Sequence, residues 1–261
     1  MGEAARRIDR IDTAPAFTQA DADALNARFE GVPAPQMLRE LLAEESLGRI
    51  GVVSSFGTEA IVLLHLVAQA NKQVPIIFVD TLKMFEETLS YREQVIDFLG
   101  FTNASVVQPD PAALQAKDET GMRWSYDPDG CCEIRKVEPM RRAKQSLDSW
   151  ISGRKAFQSH TRQNLPRFEV EDGRMKVNPL GDWTKADLDA YFEEHDLPRH
   201  PLEALGYPSV GCSPCTSTVL PGEDARAGRW RGWDKTECGI HSPNVPKGDD
   251  GELPPGYEPF L

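Results

Sequence analysis

Five cysteines carry most of the chemistry legible in this 261-residue chain. Cys131 and Cys132 are adjacent, Cys212 and Cys215 form a Cys-Ser-Pro-Cys pair, and Cys238 stands alone in Glu237-Cys238-Gly239-Ile240-His241. Four of them read as ligands and the fifth as a nucleophile. Four thiolates suit a 4Fe–4S cluster. A four-cysteine zinc site is the alternative, although adjacent cysteines serve one tetrahedral ion poorly, whereas they can reach two corners of a cube. Buried structural cysteines plus an incidental Cys-x-x-Cys would leave the same pattern. A redox disulfide between Cys212 and Cys215 is disfavoured, because the pair does not open a helix after a strand. Lys136 lies one helical turn beyond Cys132 and shares its face. Arg226-Ala227-Gly228-Arg229-Trp230-Arg231 is a dense cationic run soon after the second pair. Guanidinium groups bind phosphate or sulfate through paired hydrogen bonds; a solvated charged helix is the plainer reading of the same run. Cys238 has Gly239 beside it and His241 three positions on, and nearby cations would lower its pKa from the usual value of about 8.5.

The net charge of −12 argues against general nucleic-acid or anionic-membrane binding. A small anionic ligand needs only a local cluster of cations. With 40% hydrophobic residues, the chain can build a full core without disulfides. No stretch approaches a membrane span, and Arg6-Arg7 has no apolar run after it, so an export signal is not expected. A cytoplasmic setting is therefore anticipated. Thiols stay reduced there, and paired cysteines read as metal ligands or redox groups.

These residues need a scaffold. Residues 1–34 read as a polar N-terminal arm with at most one short helix, and residues 35–48 as an amphipathic helix. Short apolar runs at 50–53, 75–80, 104–107 and 150–153 read as strands. Residues 60–68 are apolar nearly all round, hence a buried helix. Residues 85–99 form a helix closed by Gly100, residues 133–147 another, and a further helix begins at Asp182-Trp183-Thr184. The segments 167–170 and 174–177 form a hairpin across Glu171-Asp172-Gly173. Alternating strands and helices predict an α/β fold with a parallel twisted sheet flanked by helices. Ligands bind beyond the carboxyl ends of such strands. Ser54-Ser55-Phe56-Gly57-Thr58-Glu59 sits there, between the first strand and the buried helix, where hydroxyls and backbone N–H groups can cradle an anion. It is neither a Walker A loop nor a GxGxxG, and a plain serine-capped turn would look similar. Asp80-Thr81 is expected to border the same crevice. Ser159-His160-Thr161-Arg162 follows the fourth strand and offers a further cation. His65 and the other histidines outside the tail read as structural.

The Ser54–Glu59 loop resembles a degenerate pyrophosphate-binding loop of the adenine-nucleotide α-hydrolase type. Phe56 stands where that pattern often has glycine, and Glu59 and Ala60 replace the usual aspartate and serine, which disfavours an adenylating or thiolating enzyme. Together with Cys131-Cys132, Cys212-Ser-Pro-Cys215 and Lys235-Thr236-Glu237-Cys238-Gly239-Ile240-His241, the chain resembles the sulfonucleotide reductases from about Ser54 to His241. Its four ligand cysteines are similar to those of the assimilatory adenylyl-sulfate (APS) branch; the phosphoadenylyl-sulfate (PAPS) branch typically keeps only the tail cysteine. The resemblance implies one 4Fe–4S cluster per chain on Cys131, Cys132, Cys212 and Cys215. It implies a substrate site from Ser54, Ser55, Gly57, Glu59, Lys136, Arg162, Arg226, Arg229 and His241, with Cys238 as nucleophile. It implies division into the arm 1–34, a nucleotide- and cluster-binding domain 35–230 and a mobile C-terminal segment 231–261. The expected activity is reduction of APS to sulfite and AMP by a thioredoxin or glutaredoxin-like dithiol. PAPS reduction, and from a different class a non-catalytic zinc-binding adenine-nucleotide sensor, are the alternatives. A homo-oligomer is compatible with all of these.

Overall fold

The computed structural model describes residues 17–44, 46–158 and 164–240. Arg162 and His241 lie outside them, as do 1–16 and 241–261. Six strands form one sheet in the order β3-β2-β1-β4-β6-β5. They are β1 (Ile50–Val53), β2 (Ile76–Val79), β3 (Ala104–Val107), β4 (Ser149–Ser152), β5 (Phe168–Glu171) and β6 (Arg174–Val177). All neighbouring pairs are parallel except β5 with β6, which is the antiparallel hairpin expected from the sequence. The sheet is thus mostly parallel and closes at one edge on an antiparallel strand.

Successive strand residues face opposite sides, and the apolar residues divide accordingly. Val52, Ile76, Phe78 and Ile151 face the larger core. That side is covered by α1 (Gln19–Arg28), α2 (Ala34–Glu44), α3 (Ala60–Ala70), α4 (Glu86–Leu99) and α8 (Lys185–Glu194). Ile77, Val79 and Trp150 face the other side, where Met140 of α7 (Glu138–Lys144) and Leu147 meet them. Two further short helices, α5 (Pro111–Lys117) and α6 (Pro128–Cys132), lie in the connection from β3 to α7.

Local sequence accounts for most of these elements. Thr18 and Thr184 each cap a helix through a reciprocal box with the aspartate three residues on. Gly100 ends α4 at φ 69°, in the left-handed region that glycine occupies freely. α1 carries Ala22 into the core, and Asn26 exchanges two hydrogen bonds with the backbone of Phe168, at 2.8 and 3.0 Å. It thereby satisfies polar groups on edge strand β5.

Two expectations change. The single helix over 133–147 is instead a π turn, Glu133–Val137, between α6 and α7. Pro139 has no N–H to donate to the carbonyl four residues back, so an unbroken α-helix cannot run through it. The sequence reading also passed over α5, although Asp110 caps it from the side chain and Pro111 occupies its first turn.

Candidate active site

The chain leaves β1 toward β2 and β3, then returns to place β4 on the opposite side of β1. This reversal opens a crevice at the carboxyl ends of β1 and β4. The crevice has a cavity of about 280 Å³. Ser54, Ser55, Gly57 and Glu59 line it from the first loop. Arg154, Lys155 and Gln158 line it from the segment after β4, and Arg226, Arg229 and Cys238 close it from the C-terminal part.

The first loop is organised by its own hydroxyls. Phe56 N–H donates to Ser54 Oγ at 3.2 Å and Gly57 N–H to Ser55 Oγ at 3.4 Å. Those two N–H groups are therefore engaged within the loop, and the serine hydroxyl protons are among the donors it can offer a ligand. Phe56 adopts φ 48°, unfavourable for a residue with a Cβ, and is held there by burial and by edge-on packing against Phe78 at 5.6 Å. Glu59 accepts from Lys155 at 3.1 Å and Gln158 at 2.8 Å. It ties the two walls together.

The cationic run divides. Arg231 turns outward to Glu223 at 2.9 Å. Arg226 donates to the carbonyl of Thr236 at 2.8 Å, so it also anchors the segment that carries Cys238. Arg229 donates to the carbonyl of Val210 at 3.2 Å and lies over the Trp230 ring. Burial, then repulsion from Arg226, lowers its pKa from the ordinary value. A guanidinium in that position favours an incoming anion. Its approach requires Gly211, where a Cβ would sit 2.1 Å from Arg229 Nη2.

Beside the crevice a second, smaller cavity is lined by Cys131, Cys132, Cys212 and Cys215, with Lys136 and Trp230 in both linings. The cysteines arrive from two directions. Asp127 caps α6 by accepting from Gly130 N–H at 2.8 Å, which presents Cys131 and Cys132. The Cys212 loop is strapped to the turn after β2: Ser213 N–H donates to Lys83 O at 2.8 Å, and Thr81 Oγ1 lies 3.1 Å from Cys212 Sγ. Thr81 thus serves the cysteine side, and Asp80 bonds Gln108 and Leu82, so these two residues do not line the crevice as the sequence had suggested. Beneath the turn, Arg135 binds Asp118 at 2.7 Å and Thr81 O at 2.9 Å in a buried ion pair that sequence reading missed. Nothing in local periodicity marks two charges seventeen positions apart as partners.

All five cysteines are free thiols. Burial first, and then Cys212, push Cys131 up to about 11. Burial is also the main reason that Cys132 is pushed up to about 12. Cys215 is raised by burial and by Cys212. Lys136 is held above its ordinary range: burial opposes the charge, but Cys212, Cys238 and Cys132 favour it. The four thiols form a soft sulfur donor set of the kind that suits an iron–sulfur cluster. Among the described residues, no three His, Cys, Asp or Glu side chains are grouped to hold a single metal ion.

His65 bonds Tyr191 at 2.8 Å and His200 bonds Thr88 at 3.1 Å, both away from the crevice, as expected of structural histidines. No helix among the described residues is long and apolar enough to cross a membrane.

This nucleotide-sized crevice in a mostly parallel α/β sheet, with cations and a thiol at its mouth, has counterparts. Residues 49–218 match the phosphoadenosine phosphosulfate reductase domain. An adenosine 5'-phosphosulfate reductase of Mesorhizobium japonicum is 44% identical, over 90% of this chain and 93% of its own length. That of a Chelativorans species is 46% identical over 88% and 95%. The crystal structure of the phosphoadenylyl-sulfate reductase from Candida auris, a phosphate complex, superposes with a TM-score of 0.65 at 28% identity, covering 78% of this chain and 98% of that one. The chain belongs to the phosphoadenosine phosphosulfate reductase family and is an oxidoreductase acting on a sulfonucleotide.

Proposed function

We propose that this chain reduces adenylyl sulfate to sulfite and AMP, with Cys238 as the nucleophile. The observation that carries this reading is the placement of Cys238 in the wall of the same crevice as Arg226, Arg229, Lys136 and the serine loop. In the first step the Cys238 thiolate forms a bond to the sulfonyl sulfur. The S–O bond to phosphate breaks and AMP leaves with the electron pair. Fixed cations stabilise the charge that develops on the departing phosphate, typically the largest catalytic contribution. The result is an S-sulfonate on Cys238, so one hard step becomes two. A thioredoxin or glutaredoxin-like dithiol then attacks Cys238 Sγ, and sulfite leaves with the electrons of the S–S bond. The second thiol of the dithiol resolves the mixed disulfide and restores Cys238. The dithiol supplies both electrons.

The donor set fits a 4Fe–4S cluster on Cys131, Cys132, Cys212 and Cys215. Burial and neighbouring thiols oppose ionising Cys131, Cys132 and Cys215 unless positive charge is supplied among them. The bound cluster would supply fixed charge rather than exchange electrons. Lys136 lies between this site and the crevice, so it can hold a substrate oxygen while facing the thiolates. Arg162 and His241 are proposed to complete the substrate site, and the cytoplasm is the proposed setting. A zinc-dependent nucleotide sensor would have no use for Cys238 in the crevice wall.

PAPS is the second substrate to weigh, because the Candida auris structure is named for it. The identity to relatives named for APS is higher, at 44 and 46%. Sulfite release from each nucleotide with reduced thioredoxin separates the two. Without reductant, APS should add one sulfonate to the Cys238 peptide. Cys238→Ser should abolish sulfite release and still bind AMP. Retained turnover in that variant sinks the mechanism. Anaerobically purified protein should contain about four irons per chain; one zinc with full activity excludes the cluster.

A further inference from the structure

The sheet is unequally covered, and the chain segment carrying Cys238 uses the difference. Five helices cover the larger core, whereas the second face presents Ile77, Val79 and Trp150 to α7. Ile240 packs into this second cluster, two residues after Cys238. It also stands between two cavities, the crevice and a separate one of about 220 Å³. On the other side of Cys238, two residues before it, the Thr236 carbonyl is held by Arg226 at 2.8 Å. Cys238 is therefore suspended between a polar anchor and an apolar one.

The turn between Cys238 and Ile240 makes this geometry work. Gly239 has φ 78°, which directs the chain back toward the sheet. A Cβ there would meet Val137 at 3.5 Å, an ordinary contact, so conformation rather than space calls for glycine. Val137 belongs to the π turn that also carries Lys136. The tail thus docks on the same turn that brings the cation to the crevice.

From this arrangement we infer that Ile240 is a positioning residue for Cys238: its seat on the second face holds the thiol in the crevice wall. The inference deepens the proposed mechanism and rests on Cys238 being its nucleophile. An isoleucine side chain carries no group that can take part in the bond changes, so Ile240 can act only through the placement of Cys238. Its removal should misplace the thiol and leave the nucleotide-binding loop and Arg229 where they are.

The test uses the full chain, purified anaerobically with its iron, as wild type, Ile240→Ala and Ile240→Leu. Three quantities are read: the rate of Cys238 sulfonation by APS without reductant, the affinity for AMP, and the rate of Cys238 alkylation by iodoacetamide. In Ile240→Ala, sulfonation should slow by about tenfold or more, as small misplacements of reacting groups do. Alkylation should speed up several-fold as the thiol leaves its seat, and AMP affinity should hold within about twofold. Ile240→Leu should restore both rates toward wild type, because it refills the apolar seat. Unchanged sulfonation and alkylation in Ile240→Ala would overturn the inference. So would a parallel loss of AMP affinity, which would place the effect on the crevice lining or the fold rather than on the thiol. If wild-type Cys238 is not sulfonated at all, the proposed mechanism fails, whereas faster alkylation in Ile240→Ala still supports the seat because it needs no turnover.

Discussion

Single residues set the electrostatics of the crevice, and Gly211 shows how narrow their tolerance is. An alanine Cβ at that position would lie 2.1 Å from Arg229 Nη2 and 2.5 Å from Cζ. The clashing atoms are the end of a flexible side chain, so the guanidinium moves and the backbone survives. Gly211→Ala should therefore weaken AMP binding by about tenfold with little change in melting temperature; calorimetric titration and a thermal melt check the two halves. A large fall in melting temperature would mean that the glycine serves the fold rather than Arg229. Phe56 makes the opposite point. The sequence marks it as a departure from a glycine-bearing pattern, and the backbone does keep the positive φ that glycine favours. Its ring is buried against Phe78, and core packing replaces conformational freedom.

At the scale of elements, the two cysteine pairs are brought together by connections that no single segment encodes. The π turn after Cys132, the turn after β2 and the Cys212 loop meet over the Arg135–Asp118 pair. Both of those side chains are nearly inaccessible, at 6% and 0% exposure. Removing one member of a buried pair leaves an uncompensated charge. Asp118→Ala should cost about 3–5 kcal/mol in urea denaturation. A loss below about 1 kcal/mol would show that Arg135 escapes to solvent. Strands β1 to β4 were legible from short apolar runs, and the hairpin β5–β6 from its turn residues. The π turn was not, because the 3.6-residue pattern around it reads as ordinary helix and only Pro139 interrupts it. Helix α5 had a readable start at Asp110-Pro111 but no buried residue to give it an apolar stripe.

At the scale of the whole molecule, one contribution to acid sensitivity comes from a buried imidazole. Leu202 N–H donates to His200 Nδ1 at 3.2 Å, so Nδ1 is the acceptor and Nε2–H faces Thr88 Oγ1 at 3.1 Å. The folded protein thus holds a neutral His200, and burial, against the pull of Glu87, lowers its pKa from 6.5 to about 4. The unfolded chain binds the proton more readily, so this contribution is intact above about pH 6.5 and is lost progressively as pH falls toward 4. The loss should reach roughly 3 kcal/mol. Denaturation midpoints measured across that range for wild type and His200→Asn should converge at low pH; parallel curves would assign the acid sensitivity to other groups. What the sequence determined alone was chemical: which sulfurs, which cations, a serine loop after a buried strand, and alternating elements that make a parallel sheet. Residue types and local periodicity carry that information because they act within a turn or a strand. Tertiary structure decided which of these groups share a wall. It joined Cys131 to Cys212 and Cys238 to Arg229, put Lys136 between two cavities and seated Ile240 on the sheet's second face. Apart from Cys238 with Arg229, which are close in the chain, those contacts span tens of residues, and only the packed sheet with its reversal at β1 brings them within reach.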